Sequence, residues 1–109
     1  MTGSSTPTWL DEPCPPWCVR AHLEDDHPED RYHQSEPSFF AGVAGAGDQV
    51  PLTASLTPLT LTIRIGRHVG EATPWVVIES LEARHPRLVL AEKAAFDLWQ
   101  RLDHQLARL

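Results

Sequence analysis

Both cysteines and three of the six histidines of this 109-residue chain fall between Cys14 and His33, in the run CPPWCVRAH followed by LEDDHPEDRYH. The run is rich in Pro, Asp and Glu and poor in aliphatic residues, so apolar burial alone cannot fix its conformation. A chain of this length also buries a limited share of its surface, and small domains commonly add a metal or disulfide staple. Thiolates and imidazoles together are the donors that tetrahedral zinc takes. Pro16 suits the first position of a helix and Pro15 favours extended backbone, so the expectation is a short helical turn with Cys14 just outside it. Cys18 and His22, four apart, would then share one face. The fourth donor must return from the acidic loop. His33, beyond the turn-forming PEDR, is the first choice; His27, held extended by Pro28, is the alternate.

A Cys14, Cys18, His22, His33 set fills all four zinc positions and makes the ion structural, one per chain, with its two thiolate charges cancelling the dication. Binding energy in such sites is largely folding energy, about 10–16 kcal/mol in zinc peptides. The rival is a small zinc hydrolase with three protein ligands, a water, and Glu24 or Glu29 as base. The deaminase pattern, the HExxH helix and the Gly-x-Ser-x-Gly elbow are all absent, so a non-enzymatic protein is expected.

The formal net charge is -6, and residues 11–36 hold eight acids against two arginines while the remainder balances at seven and seven. The excess negative charge therefore surrounds the Cys/His cluster, which would repel a phosphate backbone. An unknown protein partner is the first expectation. Nucleic-acid binding is the alternative, through Arg64, Arg67, Arg84 and Arg87 around the loops of a sheet.

Outside the cluster, four stretches read as strands. SFFAGVAG is apolar and ends at the turn-like GAGD. Val50, Leu52, Ala54 and Leu56 alternate with other residues, as do Leu59, Leu61, Ile63 and Ile65, and the apolar phase shifts across Thr57-Pro58, which predicts a bulge, bend or new strand there. PWVVIES reads as a further strand paired with 59–65 through GRHVGEAT. Ala95, Trp99, Leu102, Leu106 and Leu109 then recur at helical spacing. That stripe predicts a C-terminal helix packed across the sheet, with a homodimer seam as the alternative. Its start lacks a capping box, because Val89 stands three residues before Glu92.

The predicted fold class is therefore α+β: a small antiparallel β-sheet of three to five strands, one C-terminal helix and an N-terminal zinc knuckle. Residues 1–10 are expected to be a disordered tail, 11–36 the acidic zinc-binding knuckle, and 37–109 the sheet and helix, packed with the knuckle as one domain. No apolar run approaches the ~20 residues that cross a bilayer, and no secretory signal opens the chain. A cytoplasmic location with reduced cysteines follows as an expectation.

The motif Cys14-Pro15-x-Trp17-Cys18-x3-His22, with an acidic loop through Asp26 and Asp30 closing at His33, resembles the opening of a family of small actinobacterial proteins known only as a domain of unknown function. The resemblance covers about residues 10–109 and implies a zinc-binding fold with no established activity. A single Lys against eight Arg fits a high-GC genome. A regulatory or protein-interaction module is the expected role.

Overall fold

The longest strand organises the molecule. In the computed structural model, which describes residues 6–45, 56–82 and 87–109, the elements are β1 (Tyr32–Gln34), β2 (Ser38–Gly45), β3 (Leu56–His68), β4 (Trp75–Ser80), β5 (Leu88–Ala91) and α1 (Glu92–Leu106). All five strands join one antiparallel sheet in the order β1-β3-β4-β5, with β2 also paired to β3. β1 and β2 follow one another along the same edge of β3: β2 pairs residues 56–63 and β1 pairs residues 66–68. β4 takes the other edge, from Leu61 to Gly66.

The β3–β4 hairpin predicted from alternation is present, with Gly66 opposite Trp75. The expected break at Thr57-Pro58 is not: β3 runs straight through, with Pro58 opposite Val43. Pro58 is tolerated because β4 begins pairing only at Leu61, so one edge of β3 is open there and a missing N–H leaves no ladder bond unmade. Val50, Leu52, Ala54 and the GAGD turn beyond Gly45 lie outside the described residues. Two strands were missed by pattern reading. β1 has three residues and β5 four, too short for a period to declare itself.

The apolar interior is small. Among the described residues Val77 on β4 is a buried aliphatic side chain, and the largest fully buried side chain is His33, at 0% exposure. The helix differs most from expectation. β5 runs directly into α1, whose N-cap Ala91 makes no side-chain cap, and no residue of α1 is buried. Only its first turns approach the sheet, flanking an apolar groove of about 310 Å³ lined by Ile65, Pro74, Val76, Ala95, Phe96 and Trp99. The stripe expected to pack across the sheet is open, and the molecule extends 54 × 28 × 25 Å. Of the segment expected to be a disordered tail, residues 6–10 are tied down. Thr8 donates through its N–H and hydroxyl to Glu24, and Trp9 Nε1 donates to the Leu23 carbonyl at 2.9 Å.

Candidate metal centre

The chain before β1 is built from turns, and the helical turn expected at Pro16 does not form. Instead the Cys18 N–H bonds the Pro15 carbonyl at 3.0 Å, closing a tight turn over Pro16-Trp17. Two successive prolines limit the backbone enough to preset such a turn. From Cys18 the chain is extended: Cys18 bridges Ser35 antiparallel, and the Val19 N–H bonds the Gln34 carbonyl at 2.9 Å. The four-residue spacing of Cys18 and His22 therefore is not a helical face. It is the length of an extended segment that runs beside β1 and then turns at Leu23–Asp26, where Asp26 Oδ2 accepts from the Leu23 N–H. A single 3-10 turn at Pro28–Asp30 sends the chain back, and β1 places His33 beside the cysteines.

The result is a convergence of four donors. One ligand atom each from Cys14, Cys18, His22 and His33 lies within 4.8 Å of the other three. Cys18 Sγ is 3.6 Å from His22 Nε2. His27, the alternate fourth donor, is exposed and otherwise engaged: its Nδ1 accepts from the Glu29 N–H at 3.2 Å and caps the 3-10 turn. Trp9 stands edge-on to His22 at 5.7 Å between centroids, and Trp17 edge-on to His33 at 6.4 Å, so two indoles wall the histidines.

The electrostatics of the cluster fit a cation. Burial raises the Cys14 thiol above its ordinary value, and the neighbouring Cys18 adds to the rise. Burial also lowers His22, helped by the adjacent His33. Two thiolates close together, or two imidazolium rings, oppose one another; a bound dication reverses both penalties by stabilising thiolate and neutral imidazole together. The Nδ1 atoms of His22 and His33 are buried without a hydrogen-bond partner. Such orphaned groups are costly unless something else meets them. Two sulfurs and two imidazoles are a donor set suited to zinc geometry.

Sequence reasoning missed Glu12, which it counted only as an acid. Glu12 Oε2 accepts from His33 Nε2 at 2.7 Å and from Arg67 Nη2 at 3.0 Å, while Oε1 accepts from the Gly70 N–H at 2.8 Å. These bonds, His33 first, hold its carboxyl below the usual range. No local pattern could have found a partner 58 residues away.

The arginines proposed as a basic patch are differently placed. Arg67 is held by Glu12 and by the Glu71 carbonyl, and Arg64 Nη2 reaches the Ser35 carbonyl at 3.4 Å with its Nε buried. Arg87 lines a cleft with Tyr32 and Trp75 on the face of the sheet away from Arg67, and Arg84 lies outside the described residues. The two acids considered as catalytic bases also diverge: Glu24 is occupied by Thr8, and Glu29 is exposed in the 3-10 turn.

An N-terminal Cys/His cluster ahead of a five-stranded antiparallel sheet and one helix defines a small α+β domain with a candidate metal centre. The sequence profile of the Domain of unknown function (DUF6907) family matches residues 2–109, so the chain belongs to that family. No curated protein and no solved structure matches it. Among the described residues no helix is long and apolar enough to cross a membrane.

Proposed function

We propose that the chain is a non-enzymatic interaction or regulatory module, stabilised by one structural zinc on Cys14, Cys18, His22 and His33, that pairs through α1 with a second copy of itself. The full set of four donors supports a structural ion, because it leaves no position for a water nucleophile. The occupied Glu24 supports the same reading over hydrolysis. Thiolate ligation is compatible with a reducing cytoplasm, and the residue usage with an actinobacterial source.

The observation that carries the interaction reading is the open stripe of α1. Trp99 is 63% exposed, and Phe96, Leu102 and Leu106 are each more than half exposed. Aromatic and aliphatic side chains open to solvent along one helix face are the kind of surface that a partner covers. Charge favours a second copy as the occupant. The excess charge lies at residues 11–36, whereas residues 92–109 balance Glu92, Asp97 and Asp103 against Lys93, Arg101 and Arg108. Phe96 and Leu102 lie symmetrically about Trp99 on the same face, so an antiparallel pair centred there sets Phe96 against the partner's Leu102.

Elemental analysis should give one zinc per chain, and sedimentation equilibrium should give a dimer that Trp99→Asp converts to a folded monomer. A wild-type monomer at high micromolar concentration, with zinc bound, would overturn the self-pairing. A well-folded metal-free protein under reducing conditions would overturn the zinc.

A further inference from the structure

The hydrogen bonds of Glu12 reach from the metal cluster to the sheet, and they fix which nitrogen of His33 is free. His33 is wholly buried on β1, and its Nε2 lies 2.7 Å from Glu12 Oε2. A carboxylate only accepts, so Nε2 must carry the proton. Nδ1 is then the unprotonated nitrogen, and it is the one left buried without a partner. The second Glu12 oxygen is taken by the Gly70 N–H, and Arg67 adds a charged bond. Gly70 sits at φ 89, a conformation that glycine adopts without strain, in the β3–β4 connection of residues 69–74.

We infer that Glu12 is the positioning residue of the metal centre: its carboxylate takes the Nε2–H of His33, presents Nδ1 to the metal, and fastens the centre to the β3–β4 turn through Gly70 and Arg67. The inference rests on reading Cys14, Cys18, His22 and His33 as metal ligands. Its physical basis is general. A ligating histidine usually donates its other N–H to a carboxylate or carbonyl, which fixes the tautomer and ring orientation and raises the basicity of the ligating nitrogen. Here the same carboxylate bonds a strand register: His33 pairs with Arg67, so one side chain joins ligand, neighbouring strand and turn.

The test has two measurements. In zinc-loaded wild-type protein, imidazole nitrogen–proton correlation spectra should show His33 protonated at Nε2 and bound through Nδ1. Coordination through Nε2 overturns the inference. In chelator competition, Glu12→Gln should weaken zinc binding about 10–100-fold, with Glu12→Asp between it and wild type. Arg67→Met, which spares the Glu12–His33 bond, should lose less than Glu12→Gln. Unchanged affinity in Glu12→Gln overturns the inference while leaving the metal site standing. Equal losses in Glu12→Gln and Arg67→Met overturn it too, since the effect would then belong to the sheet contact. A wild-type protein that takes up no zinc removes the metal reading, and this inference with it.

Discussion

Gly66 shows how tightly single residues set the sheet that carries the centre. It lies opposite Trp75, and the indole lies flat over it, so that a Cβ at position 66 would meet ring atoms at 2.0 to 2.3 Å. Tyr32 stands 6.2 Å from Trp75, and the Arg20 guanidinium covers Tyr32 at 4.0 Å, so the ring position is passed on to the segment between Cys18 and His22. Gly66→Ala must displace Trp75, and overpacking of this kind costs about 1–3 kcal/mol. The expected outcome is a lower chemical-denaturation midpoint in the zinc-loaded variant; an unchanged midpoint would mean that the indole is free to move. A glycine in an alternating strand signals close approach of something, but only the register reveals that the something is Trp75.

At the scale of elements, the parts that alternation could read were read: the β3–β4 hairpin and the C-terminal helix repeat their period often enough to be recognised. β5 was hidden because LVLA is a short apolar run, equally compatible with a helix start, and its identity is settled by pairing with Trp75–Ile78. The turn at Pro16 was misread because prolines preset a tight turn as readily as a helix start, and only the Cys18–Ser35 bridge decides between them. Placement of the helix was beyond sequence reach, since an apolar stripe states that something covers it and not what. The start of α1 offers a direct check. Ala91 has extended backbone at the N-cap and makes no side-chain bond, and it is exposed. Ala91→Asp supplies the missing acceptor and should stabilise the protein by about 0.5–2 kcal/mol, read as a raised thermal midpoint. A lowered midpoint would indicate that the β5 end of this residue, paired with Trp75, matters more than its cap.

For the whole molecule, the centre of cohesion lies at the cluster rather than in an apolar core. Among the described residues the largest fully buried side chain is a histidine, and the apolar interior around Val77 is slight. β1 and the segment that bridges it owe their position to the same residues that gather the donors. Chelation of zinc under reducing conditions should therefore lower the unfolding midpoint of the entire domain in one transition, and Cys18→Ser should do the same without chelator. Amide exchange would locate the change: protection should fall at β1 and at the Gly70 N–H along with residues 18–35. If exchange rose only within residues 14–33 and the sheet kept its protection, the sheet would be self-sufficient. The donor cluster was legible because donor chemistry is local in sequence; the contacts of Glu12 with His33 and Gly70 were not, because they belong to the closed chain.

The outer edge of β2 has a different consequence. SFFAGVAG holds no charge and no proline, its Phe39, Phe40 and Val43 side chains are exposed, and among the described residues it pairs only with β3. Such an edge is a template for strand addition, and nothing in its own sequence acts as a gatekeeper. The restraint is colloidal: the net charge of -6, carried on the knuckle, keeps copies apart at neutral pH. Near the isoelectric point, about 5.4, that repulsion vanishes, and the chain should shift from a defined assembly to open-ended sheet aggregation. The acidic knuckle would then be, besides a frame for the ion, the solubility tag of a strand that has none of its own.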